Sequence, residues 1–146
     1  MEIASPSMHL IIYISDYTGS GESIEKDLNQ ISASAKKRNP ELEITGALFY
    51  HKQKFLQVIE GKQEPLKNLL NILEKDSRHK NISTIIDDQI SERAFNDWNM
   101  DSFNLNELQY IDENIVMYLK ETSYELLTEI EAKVFIDVLK SFLQSQ

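Results

Sequence analysis

Two polar side chains that could take part in chemistry lie inside apolar stretches of this 146-residue sequence. Tyr13 lies in the run LIIYIS, and Gln57 lies in the run FLQVIEG. A buried primary amide costs on the order of 1 to 3 kcal/mol unless its donors and acceptor find partners, and a buried phenol also needs a partner. If their strands are neighbours, the two side chains could meet. They then either satisfy each other inside an ordinary core or face a third polar group.

A second amide, that of Asn39, could belong to the same site. Asn39 precedes Pro40 at the end of a helical pattern, where asparagine commonly caps a helix or forms a turn. A phenol and two amides together donate and accept hydrogen bonds, which suits a planar heterocycle edged with carbonyls and ring nitrogens. Flat apolar walls for such a ring could come from Ile24, Ile31 and Phe55.

The elements that must position these residues follow from the hydrophobic periodicity. Strand patterns span residues 9–15, 44–51, 54–60 and 81–87, with a weaker one at 95–103. Helical patterns run from Ile24 to a stop at Pro40 and from Pro65 to about Ser77. The order βαββαββ predicts an α+β, ferredoxin-like sheet with two helices on one face.

The remaining sequence predicts a cover for the other face of the sheet. Two amphipathic helical patterns follow residue 104, with apolar positions Leu108, Ile111, Ile115 and Leu119, then Leu127, Ile130, Val134, Val138 and Phe142. We therefore expect a domain over residues 8–104 and a C-terminal helical cap over 105–146. Residues 1–7 have no pattern and are predicted to be a loose leader.

Composition excludes several classes of function. The sequence has no cysteine, which excludes disulfides, thiolate metal sites and cysteine nucleophiles. The net charge of −9 disfavours binding to nucleic acid or to an anionic membrane, and no apolar run approaches the ~20 residues needed to cross a bilayer. The histidines show no metal-ligand spacing, so no metal site is predicted. We expect a soluble cytoplasmic protein.

Five segments resemble, in order and spacing, the BLUF family of flavin-binding blue-light sensors. They are LIIYIS with Tyr13, RNPELEITGALFY with Asn39, KFLQVIEG with Gln57, KDSRH ending at His79, and FNDWNM with Trp98 and Met100. The resemblance covers about residues 8–104. It implies a noncovalently bound flavin, FAD or alternatively FMN, held between the two helices of the βαββαββ core.

The resemblance also implies roles for the polar residues. Asn39 would hold the pyrimidine edge of the flavin, and Gln57 would bridge Tyr13 to the ring at N5 and O4. Blue light would draw an electron and a proton from Tyr13, and their return would leave the Gln57 amide rotated or tautomerised. A small red shift that reverts in the dark is the expected signal.

Other matched positions carry expected roles by the same resemblance. Lys37 falls where the family often has an arginine near the ribityl or phosphate part of the flavin. Arg78 and His79 match an Arg-His pair of the family, although both also suit the end of a helix. Trp98 and Met100 match positions thought to exchange places near Gln57 during signalling, although ordinary core packing would also explain them.

Two other classes of function remain open at this stage. A small ferredoxin-like hydrolase of the acylphosphatase type would need a phosphate loop, for which the Gly19 and Gly21 region is a faint candidate. A regulatory interaction module would bind a partner without any cofactor. For the sensor, the 42 residues after Asn104 are too few for a cyclase or phosphodiesterase domain. We therefore expect no enzymatic activity, an unidentified protein partner and a homo-oligomer.

Overall fold

The sheet and helices follow the predicted order. The computed structural model describes residues 8–93, 95, 99–105, 117, 121, 123 and 127–144. Its elements are β1 (Met8–Tyr17), α1 (Ile24–Leu42), β2 (Thr45–His51), β3 (Lys54–Lys62), α2 (Gln63–Glu74), β4 (His79–Ile90), β5 (Asn99–Asn104) and α3 (Glu129–Gln144). The α+β class and the βαββαββ order are confirmed. The predicted leader, Trp98 and, apart from Met117, the helix over Leu108 to Leu119 lie outside the described residues.

The five strands form one sheet in the order β4-β1-β3-β2-β5. Strand β1 pairs antiparallel with both β3 and β4, and β2 pairs antiparallel with β3 and parallel with β5. Each of α1 and α2 therefore connects two parallel strands that have a third strand between them, which is the split βαβ arrangement of a ferredoxin-like fold. The central strands β1 and β3 carry Tyr13 and Gln57.

Alternation along β3 assigns its side chains to two separate cores. Phe55 and Ile59 pack with residues of α1 and α2, whereas Leu56 and Val58 pack on the opposite face with residues of α3. This separation confirms the prediction from the two-residue period of a strand. Gln57, which shares the parity of Phe55, therefore points toward α1 and α2.

The β2–β3 hairpin fixes the register of Gln57. Its turn residues, Lys52 and Gln53, have φ angles of 49° and 65°. Positive φ at both positions characterises a type I′ turn, whose twist suits a two-residue hairpin even without glycine. The resulting register pairs Gln57 with Leu48 on one side and with Tyr13 on the other.

Both predicted helix boundaries at proline are wrong. Helix α1 continues through Pro40 to Leu42 and ends at Glu43, whose φ of 55° is left-handed. Pro40 removes one hydrogen bond in the last turn without stopping the helix. Helix α2 begins at Gln63, two residues before Pro65, because the N–H groups of a first turn have no partner inside the helix. It ends at Glu74, short of the predicted Ser77.

The predicted apolar face of α3 is partly wrong. Leu127 and Val138 pack against the core as expected, but Ile130 and Val134 are 76% and 49% exposed. The buried positions are instead Ala132, Phe135 and Ile136. Two apolar stripes overlap on this helix, and the one that buries the large Phe135 ring removes more apolar surface from water. The side chain of Phe142 lies outside the description.

The connection from β4 to β5 is attached to the end of β3. The wholly buried carboxylate of Glu60 accepts hydrogen bonds from Phe95 N (3.1 Å) and Thr45 Oγ1 (3.3 Å). Arg93 Nη1 donates to the Glu60 carbonyl (3.0 Å). β5 spans Asn99–Asn104, and Phe95, where the strand was predicted to begin, instead donates its N–H to this carboxylate.

None of the helices in the described residues has the length and apolar character required to cross a membrane.

Candidate functional site

A pocket opens on the side of the sheet that packs against α1 and α2. The space inside it amounts to about 290 Å³, which includes open solvent at its mouth. Its lining residues are Tyr13, Ile31, Leu48, Phe55, Gln57, Leu73, Asp76, Arg78 and His79. Apolar walls with a few polar groups are typical of a site for a small organic molecule.

Tyr13 presents a buried phenol to this pocket. The residue is 1% exposed, and its hydroxyl has no hydrogen-bond partner among the described residues. Burial raises the pKa of Tyr13 well above its usual value; the charge of Asp76 raises it further, and that of Arg38 opposes the shift. The phenol is therefore neutral near pH 7, and its O–H is a donor without an acceptor.

Gln57 lies directly opposite Tyr13 in the β1–β3 register and is also buried. Its Nε2 donates to the Met100 sulfur at 3.0 Å. A thioether is a weak acceptor. The amide can therefore exchange this partner for a stronger one at little cost.

Asn39 supplies a second partnerless donor at the C-terminal end of α1. Its side chain is wholly buried, and Nδ2 has no partner within the described residues. Its Oδ1 accepts from Arg38 Nε at 3.3 Å. The residue does not line the pocket itself.

A cation near the site that the sequence pattern did not indicate is Arg38. Arg38 is half-buried and interacts electrostatically with Tyr13 and Asp76, whereas the expected Lys37 is exposed. The helical periodicity of α1 could have identified Arg38 as a site residue. Arg38 follows Ile31 by seven residues, so both lie on one face of α1, whereas Lys37 lies off that face.

Asp76 and Arg78 form an ion pair in the pocket wall. Arg78 Nε lies 2.9 Å from Asp76 Oδ1, and Nη2 lies 2.5 Å from Oδ2, so the contact is bidentate. These hydrogen bonds hold the pKa of Asp76 below its usual value. Arg78 was an expected site residue, whereas Asp76 was missed because a lone aspartate before a serine has no distinctive pattern.

His79, the first residue of β4, forms hydrogen bonds with residues of α2 and β1. Its Nε2 lies 2.6 Å from the Leu73 carbonyl, which can only accept, so Nε2 carries a hydrogen. Its Nδ1 lies 2.8 Å from Ser15 Oγ. These bonds orient the imidazole with its centroid 6.2 Å from that of the Tyr13 ring.

The remaining expected site residues fall into different places. Ile31 and Phe55 line the pocket, while Ile24 is buried in the same core without lining it. Met100 is buried against Gln57. Trp98 lies outside the described residues. No group of His, Asp or Glu side chains in the described part of the chain could hold a metal ion.

The partnerless atoms test whether a flavin fits this site. Three buried side-chain atoms among the described residues lack a hydrogen-bond partner, and two of them are Tyr13 Oη and Asn39 Nδ2. The third, His9 Nδ1, lies elsewhere, 3.5 Å from Asp87. Natural proteins satisfy nearly all buried polar groups, so the Tyr13 hydroxyl in the pocket indicates a missing acceptor, and Asn39 Nδ2 at the end of α1 is a second donor that lacks one. The carbonyls and ring nitrogens of a flavin are acceptors of this kind.

Comparison with known protein families gives a direct match. The family model BLUF, described as sensors of blue light using FAD, matches residues 8–101. Subunit beta of a photoactivated adenylate cyclase from Euglena longa is 38% identical over 69 residues, which are 47% of this chain and 8% of that protein. The blue light- and temperature-regulated antirepressor BluF of Escherichia coli strain K12 is 29% identical over 103 residues, which are 70% of this chain and 26% of that protein.

Solved structures agree with the family match. A bacterial light-regulated adenylyl cyclase has a TM-score of 0.67 at 33% identity, covering 77% of this chain and 32% of that one. BlsA in its photo-activated state has a TM-score of 0.77 at 27% identity, covering 91% and 94%. BlrB, a BLUF protein in its dark state, matches in fold with a TM-score of 0.77 at 24% identity, covering 93% and 97%. Since the family model matches well over half of its residues, this chain belongs to the BLUF family of blue-light sensors.

Proposed function

We propose that this chain binds FAD noncovalently at the pocket and reports blue light through the hydrogen bonds of Tyr13 and Gln57. The observation that carries the proposal is the buried, partnerless Tyr13 hydroxyl, opposite an amide that donates to a sulfur. When bound, the flavin supplies a light-excited ring that accepts an electron and a proton. FMN remains the alternative cofactor.

Several residues would hold the flavin. Asn39 Nδ2 would donate to the edge of the ring, and Ile31 and Phe55, which line the pocket, would form its apolar walls, with Ile24 in the same core. Exposed Lys37 would suit the ribityl or phosphate part of the cofactor as a point charge. Arg78, oriented by Asp76, contributes a second positive charge at the pocket wall.

The light step uses what is particular to Tyr13 and Gln57. Tyr13 is a neutral phenol, so it loses an electron and its hydroxyl proton together and later takes both back. Gln57 carries a donor and an acceptor on one amide and can exchange them by rotation or tautomerisation. The changed amide no longer donates to Met100, so the light signal reaches β5 there. Trp98, close in sequence to Met100, would take part in the same change.

The other two functional classes have less support. A hydrolase of the acylphosphatase type needs a free cation for a phosphoryl group, but Arg78 is paired with Asp76, and the Gly19 and Gly21 region does not line the pocket. A module without a cofactor would carry the cost of two unsatisfied donors in its core without any ligand to satisfy them.

We further propose that the chain is not itself an enzyme and passes its signal to an unidentified protein partner. The matched relatives carry names as different as cyclase and antirepressor, so domains of this kind serve several outputs. In this proposal residues 8–104 form the sensor, residues 105–146 form a cap that takes part in homo-oligomer contacts, and the protein works in the cytoplasm without nucleic acid or membrane.

An absorption spectrum of the purified protein, taken in the dark and then under blue light, tests the proposal. A flavin spectrum that shifts slightly to the red and recovers in darkness is expected. Mass analysis of the cofactor released by denaturation distinguishes FAD from FMN. A colourless protein that takes up neither flavin would overturn the proposal.

A further inference from the structure

Strand β5 contains an irregularity at Met100. Gly46 of β2 pairs with Asn99 and the next residue, Ala47, pairs with Asp101, so Met100 is an extra residue in β5. Its φ of 72° is in the left-handed region, which is uncommon for a residue with a long side chain. These features define a β-bulge, a device that redirects a side chain at the edge of a sheet.

The bulged residue, Met100, lies in the functional site. The residue is wholly buried, and its sulfur accepts the hydrogen bond from Gln57 Nε2. Met100 shares the parity of Ser102, which pairs with Leu48, so alternation already turns its side chain toward α1 and α2, and the bulge gives it a left-handed backbone conformation there. The contact between Gln57 and Met100 therefore depends on the left-handed backbone conformation of Met100, which needs other contacts to stabilise it.

Helix α1 contacts β5 at three points, which we call the α1–β5 seam. Ser32 Oγ donates to the Met100 carbonyl at 3.2 Å. Asn104 Nδ2 donates to Glu25 Oε1 at 3.0 Å, and Lys36 Nζ lies 3.2 Å from Asp101 Oδ1. Because residues 25, 32 and 36 are separated by seven and four positions, they share one face of the helix.

The three contacts of the seam differ in how strongly they constrain β5. The Glu25–Asn104 and Lys36–Asp101 pairs join exposed or half-exposed side chains, whose interactions contribute little. Ser32 is half-buried and binds the backbone of the bulged residue itself. A serine inside a helix usually bonds to a carbonyl of its own helix. This one bonds across to the strand.

We propose that Ser32 is a positioning residue of the light switch: its hydroxyl holds the Met100 bulge so that the sulfur stays against Gln57 in the dark. The role in light sensing rests on the proposed function, whereas the dark geometry does not require flavin. Once the Gln57 amide reverses, the sulfur has no donor to accept from. The hydrogen bond from Ser32 still fixes the backbone of Met100 at that point. It therefore favours the return of the Met100 sulfur to its dark-state position against Gln57.

Two nearly isosteric replacements isolate the hydroxyl. Ser32→Thr keeps it, and Ser32→Val replaces it with a methyl group of similar shape. Ser34→Ala serves as a control, because Ser34 is exposed on the same helix. All are studied in the full chain with ¹³C-methyl methionine labels in the dark, with and without FAD. The chain has four methionines, and Met100→Leu assigns the Met100 resonance.

The Val variant should shift or broaden the Met100 methyl resonance and speed amide exchange in β5 by about threefold to tenfold, the factor for one neutral hydrogen bond. Its dark recovery should slow by a similar factor. The Thr and Ser34→Ala variants should resemble the wild type. A Val variant that matches the Thr variant in resonance and exchange would overturn the proposal. Because these readings need no light response, a failure of the proposed function would appear separately, as a missing absorption shift.

Discussion

At the scale of single residues, the site combines a phenol that cannot ionise easily with an amide that can change its partner. Tyr13 is excluded from water, and its hydroxyl has no hydrogen-bond partner among the described residues. Gln57 donates to a sulfur, which leaves it ready for a stronger acceptor. Each property can be tested by a change of one side chain.

Replacing Gln57 with leucine should preserve flavin binding and abolish the light-induced red shift. Leucine has a similar size but neither a donor nor an acceptor, so the hydrogen bonds at the ring cannot be reversed. The measurement is the difference between light and dark absorption spectra. Gln89→Leu is the matched control, because Gln89 is exposed on β4 and should leave the shift unchanged. A normal shift in the Gln57 variant would refute the assigned mechanism.

Tyr13 should make protein stability depend on alkaline pH. Because its pKa is raised in the folded state, the neutral phenol stabilises the fold fully below about pH 10, the unfolded value, and this contribution falls as the pH rises above it. The free energy of unfolding should therefore fall more between about pH 8 and about pH 11 in the wild type than in Tyr13→Phe. Urea denaturation at both pH values provides the measurement. Equal decreases in the two proteins would mean that the phenol is not held neutral.

At the scale of elements, the close approach of β2 to β3 depends on a residue without a side chain. A Cβ atom on Gly46 would lie 2.0 Å from the carbonyl oxygen of Val58, which is far inside any normal contact. Gly46 also lies where the pairing of β2 with β5 shifts by one residue. The glycine therefore determines the local packing of three strands.

We expect Gly46→Ala to destabilise the protein by on the order of 3 kcal/mol, since the backbone of β3 must move to admit the methyl group. Gly21→Ala is the control, because no atom lies within 4 Å of its added Cβ. That change should alter stability by less than about 0.5 kcal/mol. Urea denaturation of the flavin-free proteins measures both. A stable Gly46→Ala protein would show that β2 and β3 lie farther apart.

At the scale of the whole molecule, the two unsatisfied donors mean that the fold without its ligand is incomplete. A ligand that binds only the folded state stabilises it by mass action, by about 2.7 kcal/mol at a hundred times its dissociation constant. The sheet, α1 and α2 all contribute to the pocket or its surroundings. The gain should therefore extend to the cooperative unfolding of the domain.

Adding FAD to the flavin-free protein should raise the melting temperature in a concentration-dependent way. Riboflavin should also raise it, because the partnerless Tyr13 hydroxyl lies in the pocket assigned to the ring, whereas adenosine monophosphate at the same concentration should have no effect. Differential scanning calorimetry makes the comparison. A melting temperature indifferent to FAD, or raised as much by the adenine nucleotide, would contradict the assignment of the pocket to a flavin ring.

The sequence by itself determined the features that depend on local periodicity. The alternation in FLQVIEG assigned Phe55 and Gln57 to one face of β3, and the order of patterns predicted the ferredoxin-like sheet. The motifs around Tyr13, Asn39 and Gln57 indicate the family without any tertiary contact. These features follow from short-range steric rules that hold in any tertiary context.

Only the tertiary structure decided the features that depend on contacts between distant segments. The bulge at Met100 shifts the register by one residue and is held by Ser32, 68 positions away in sequence. Likewise, α3 has two overlapping apolar stripes, and the sheet beneath it selects the one with Phe135. Periodicity describes which face of an element is apolar. Periodicity cannot predict which neighbouring element packs against that face, because this depends on tertiary contacts.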